Sequence, residues 1–72
     1  MNRSAEDLVK IAAAGGGLIL NGEMQPTDEL IKTATAAGES DVTLTITNVG
    51  GKNTDELIKI AAAGDGSVIF EL

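Results

Sequence analysis

Three stretches of the 72-residue sequence repeat one another. Ser4-Ala5-Glu6-Asp7-Leu8-Val9-Lys10-Ile11-Ala12-Ala13-Ala14-Gly15 aligns with Pro26-Thr27-Asp28-Glu29-Leu30-Ile31-Lys32-Thr33-Ala34-Thr35-Ala36-Ala37-Gly38. Both align with Asn53-Thr54-Asp55-Glu56-Leu57-Ile58-Lys59-Ile60-Ala61-Ala62-Ala63-Gly64. A β-prone run follows each, at residues 18–20, 42–47 and 68–72. Such repetition restricts the fold severely, because a short unit cannot bury its own apolar face and must stack on a neighbour. We divide the chain into units 4–20, 26–47 and 53–72 of a single domain. The equivalent leucines Leu8, Leu30 and Leu57 are unevenly spaced, so the second unit has the longer strand and loop.

The first half of each unit reads as a helix. Leu8, Ile11 and Ala12 share one face at helical spacing, as do Leu30, Thr33 and Ala34, and Leu57, Ile60 and Ala61. Val9, Ile31 and Ile58 widen that face. Ser4 with Asp7, and Asn53 with Glu56, have N-cap spacing, and Pro26 or Thr27 opens the second helix. The acidic residues of each first turn favour the positive end of a helix dipole. Gly15, Gly38 and Gly64 stand where a left-handed residue ends a helix.

The second half of each unit reads as a strand. Val42, Leu44 and Ile46 alternate with Thr43, Thr45 and Thr47, and Val68, Phe70 and Leu72 alternate with Ser67, Ile69 and Glu71. Strands joined through a helix pair in parallel with right-handed crossovers. A sheet covered on both sides would have continuously apolar strands, and the threonine row is not that. The expected fold is therefore α/β: three helix–strand units with a parallel three-stranded sheet, order 1-2-3, and all helices on one face. Leu8, Ile11, Leu30, Leu57 and Ile60 would pack on Leu18, Leu20, Val42, Leu44, Ile46, Val68 and Phe70. Each such side chain contributes about 1.5–3 kcal/mol when fully buried, before conformational entropy is subtracted. The strand–loop–helix rhythm resembles the α/β units of leucine-rich repeats. That resemblance extends to the rhythm alone, since Leu44-Thr45-Ile46-Thr47-Asn48 is one residue short of the leucine-to-asparagine spacing.

Composition narrows the chemistry. With no cysteine and no histidine, disulfides, thiolate and imidazole metal sites and the usual neutral-pH general base are excluded. We expect no metal and no cofactor. Phe70 is the single aromatic residue, and the net charge is −6. That charge disfavours nucleic acid and anionic membrane as partners and favours a basic protein. The N-terminal stretch has no signal-peptide core, and no apolar run reaches membrane-spanning length, so a soluble cytoplasmic protein is expected. A chain this short buries only about 60% of its unfolded surface, and self-association is the stabilising device left to it.

Four motifs bear on function. Asn48-Val49-Gly50-Gly51-Lys52-Asn53-Thr54 lies between a strand and a helix, like a phosphate-binding loop. That motif, however, needs glycine where Ile46 stands and serine or threonine where Asn53 stands. Gly15-Gly16-Gly17 follows a helix, the wrong dipole end for an anion. The pairs Glu6-Asp7, Asp28-Glu29 and Asp55-Glu56 serve the helix starts. Glu6, Asp28 and Asp55 also precede Lys10, Lys32 and Lys59 by one helical turn. The loops after the first two strands, 21–25 and 48–52, fall on the carboxyl rim where open parallel sheets bind ligands. There Asn21, Gly22, Asn48, Gly50, Gly51 and Lys52 are candidates for a small polar contact site.

No nucleophile, base and anion pocket are assembled, so we expect no enzyme. The expectation is a non-catalytic protein–protein interaction module that associates with itself as a homodimer or larger. Ile19, Thr43, Thr45, Thr47, Ile69 and Leu72 are the candidate contact residues. The alternative is an acidic inhibitor or immunity-type protein that blocks a basic site on another macromolecule.

Overall fold

A computed structural model describes residues 5–72, Ala5 by its backbone alone. Ser4, the expected first cap, lies outside the described residues. Helices and strands alternate: α1 (Ala5–Ala13), β1 (Leu18–Asn21), α2 (Thr27–Ser40), β2 (Leu44–Thr47), α3 (Thr54–Gly64) and β3 (Val68–Phe70). The strands form one parallel sheet in the order β1-β2-β3. The architecture is the α/β arrangement that the repeat predicts.

The register places the side chains in two rows. Leu18, Leu44 and Val68 lie abreast, as do Leu20, Ile46 and Phe70, and these rows meet the helices. Between them runs Ile19–Thr45–Ile69, on the opposite side of the pleat. Leu8, Leu20, Leu30, Leu44, Ile46 and Ile60 form a buried cluster with Ala34, Ala37 and Val49. Leu18, Val42, Leu57, Val68 and Phe70 pack at its margin, partly buried. Ile11, expected in the core, is only half-buried, and Ile58 is 58% exposed rather than part of the apolar face. Both belong to end units, which lack a neighbour on one side.

The central helix has two neighbours and the sheet to pack against. Its buried residues are accordingly small: Thr33, Ala34, Ala36 and Ala37 beside Leu30. The Thr33 hydroxyl donates to the Glu29 carbonyl at 2.9 Å, so its burial leaves no unpaired group.

The helix ends correct the sequence reading. Gly15 does end α1, with φ +99°, its N–H on the Ala12 carbonyl and the Gly16 N–H on that of Ile11. Gly38 and Gly64 are not left-handed caps. Asp41 (φ 60°) and Asp65 (φ 49°) take that role, and α2 runs past Gly38 to Ser40. Gly38 lacks a side chain because α2 and α3 touch there: a Cβ would sit 2.6 Å from the Gly64 carbonyl oxygen. A Cβ on Gly64 would collide with Val68 Cγ2. Strand limits also change. β2 begins at Leu44 instead of residue 42, and β3 stops at Phe70, although the Glu71 N–H still reaches the Ile46 carbonyl at 2.9 Å.

Candidate interaction surface

The side of the sheet away from the helices is open. Ile19 and Ile69 are 74% and 54% exposed, with Thr45 half-buried between them in register. Thr47 pairs with Asn21 at the end of β2, and its hydroxyl donates to the Leu20 carbonyl at 3.3 Å. Thr43, just before β2, is exposed and accepts the Leu18 N–H through its carbonyl at 3.1 Å. Leu72 lies past the end of β3, and its 96% exposure sets it apart from the row. Of the six candidate contact residues, the register thus brings Ile19, Thr45 and Ile69 into one line, with Thr47 next to it.

The carboxyl rim carries two shallow grooves. Gly22, Glu23, Asn48, Gly51 and Lys52 line one shallow groove between the first two loops. Gly50 lies on the other side of Asn48, in a groove shared with Glu71 and Leu72. Asn21 is exposed and accepts the Glu23 N–H on Oδ1 at 2.9 Å, beside Ile19 and Met24 in another groove. Four of the six polar rim candidates thus share one groove, and Asn21 and Gly50 line others. Lys52 is occupied: its Nζ donates to the Gln25 carbonyl at 3.4 Å and to Thr27 Oγ1 at 3.3 Å, tying the second loop to the start of α2.

Val49 explains the shape of this rim. Asn48 adopts a left-handed conformation, φ 54°, and Val49 is 2% exposed against the core. Gly22 fits beside it only without a side chain, since a Cβ would lie 3.0 Å from Val49 Cγ1 and 2.9 Å from the Thr47 carbonyl oxygen. In sequence, Val49 reads as part of the 48–52 loop. The one available signal was an apolar side chain two positions beyond a strand.

The starts of α2 and α3 are joined by polar side chains. Asn53 caps α3 by accepting the Glu56 N–H at 2.9 Å, while Glu56 Oε1 accepts the Asn53 N–H at 3.1 Å. Glu56 Oε2 also accepts from Thr27 Oγ1 at 3.0 Å, linking α3 to α2. The Asn53 backbone hydrogen bond and then the Thr27 hydroxyl hold the Glu56 carboxyl below its ordinary value. On α1, Glu6 and Lys10 approach to 4.0 Å in an exposed pair that adds little to stability. Among the described residues no cluster of acidic side chains is arranged to hold a metal ion, and no helix is long and apolar enough to cross a membrane.

Compared with known proteins, the chain matches no family model, and no curated protein or solved structure is significantly similar to it.

Proposed function

We propose that this chain is a small non-catalytic interaction module that binds further copies of itself through the open parts of its sheet. The observation that carries the reading is the uncovered sheet: the isoleucines of its free side face solvent, and β1 and β3 are edge strands. Unpaired edges and exposed β-branched rows are the features through which sheets recruit another chain. The small core supports the same reading, because Leu57, Val68 and Phe70 are only partly buried by the single chain.

Light scattering coupled to size exclusion tests this directly. A mass above the 7.3 kDa of one chain at micromolar concentration is the expected result. A folded particle of 7.3 kDa throughout that range would defeat the reading.

A further inference from the structure

The first and third units expose surfaces that are complementary. Within the chain, the trailing side of α2 meets the leading side of α3. Thr27 and Ala34 mark the trailing side: Thr27 bonds Glu56, and Ala34 lies against Gly64, whose Cβ would be 3.6 Å away. Ile60, one helical turn after Glu56, marks the leading side.

Following these positions through the repeat shows what is missing. Ala12 and Ala34 are fully buried, yet their equivalent Ala61 is exposed on the trailing side of α3, next to exposed Ile58. Thr33 and Ile60 are fully buried, yet their equivalent Ile11 is only half-buried on the leading side of α1. Ala36 is buried and Ala63 half-buried, while their equivalent Ala14 is exposed. The residues that close each internal junction are thus present, uncovered, at the two ends of the chain.

We infer that the partner is a second copy, added head to tail, with its first unit docked on the third unit of its neighbour. This rests on the self-association proposed above and assigns it to the ends instead of the open face. The new junction continues the α1–α2 and α2–α3 packing already in the chain. Ile11 and Ala14 of the incoming copy cover Ile58 and Ala61. The incoming β1 lies beside β3 as β2 lies beside β1, which extends the Leu18–Leu44–Val68 and Leu20–Ile46–Phe70 rows into the next copy. Because the two contacting surfaces differ, the contact is heterologous and adds copies in series unless their rotation closes a ring.

Two variants, each blocked at one end, test this in the full chain. Ala61→Lys places a charge on the trailing end and Ala14→Lys on the leading end. Both alanines are exposed, so circular dichroism should show an unchanged fold. A charge buried without a partner should weaken the junction at least about 100-fold. Each variant alone is then a monomer by sedimentation velocity. Their equimolar mixture forms a two-chain particle and nothing larger, because one intact end remains on each. Thr45→Lys, on the open face, assembles like the wild type. Should Ala61→Lys fail to fold, Ile58→Lys replaces it. A mixture that stays monomeric, a blocked variant that assembles normally, or a Thr45→Lys chain that dissociates would overturn the head-to-tail junction and leave self-association by another surface standing. A monomeric wild type would overturn both.

Discussion

A methyl group added at Gly38 has nowhere to go. Helix propensity alone would favour Gly38→Ala by about 1 kcal/mol. The new Cβ, however, would press on the backbone oxygen of Gly64, which no side-chain rotation relieves. We expect a net loss of about 1–2 kcal/mol in urea unfolding. Gly50→Ala is the control, since no atom lies within 4 Å of its Cβ position, and it should change stability by less than about 0.5 kcal/mol. Glu56 makes a second prediction at this scale. Its carboxyl is held below the ordinary value of 4.5 by the Asn53 backbone and the Thr27 hydroxyl. A depressed folded pKa contributes stability that is fully present above the unfolded value and is lost as pH falls through the folded one. Acid should therefore destabilise the protein from about pH 4.5 downward. Glu56→Gln should flatten that part of the profile, and unfolding midpoints measured from pH 6 to pH 2 would reveal a failure to do so.

α2 and α3 start in different ways, and their ends respond differently to mutation. α3 has a full capping box, so Asn53→Ala removes an acceptor for the Glu56 N–H. The expected cost is about 1 kcal/mol, read as a lower unfolding midpoint with an unchanged denaturant slope. α2 begins on Pro26 with no side-chain cap. Its N-terminus is held instead from outside, through Lys52 and Glu56 on Thr27. Thr27→Val should therefore loosen two junctions at once, and amide exchange at the start of both α2 and α3 should speed up. An effect confined to α2 would mean that the Thr27–Glu56 bond does not couple them. Much of the element level was legible in the sequence. Periodicity, the Asn53–Glu56 spacing and the strand alternation were all local signals. The exact ends were less so, because Asp41 and Asp65 in left-handed conformation are not distinguished in sequence from other acidic residues after a helix.

At the level of the whole molecule, the self-association proposed above would tie stability to assembly. If copies add in series, the thermal midpoint should rise with protein concentration, since association draws on the folded state alone. A midpoint constant over a hundredfold dilution series would contradict it. The open Ile19–Thr45–Ile69 row was readable in advance, because strand alternation and the threonines assign the two faces. The candidate rim was legible only in part. Gly22, Asn48, Gly51 and Lys52 do share a groove, but Gly50 lines the neighbouring one and Lys52 is engaged with Gln25 and Thr27.

Local order came from the chain itself. Helix faces, strand faces and the one-sided covering of the sheet all follow from periodicities of a few residues, which neighbouring side chains enforce. Packing settled the rest. Ala12, Ala34 and Ala61 occupy equivalent places in the repeat, and only the third is uncovered. Gly38 and Gly64 look like helix stops in sequence, but serve where two helices and a strand crowd together. Val49 looks like part of a turn and plugs the end of the core. In each case the outcome depends on which distant segment arrives alongside, and a residue's own neighbours in sequence carry no record of that.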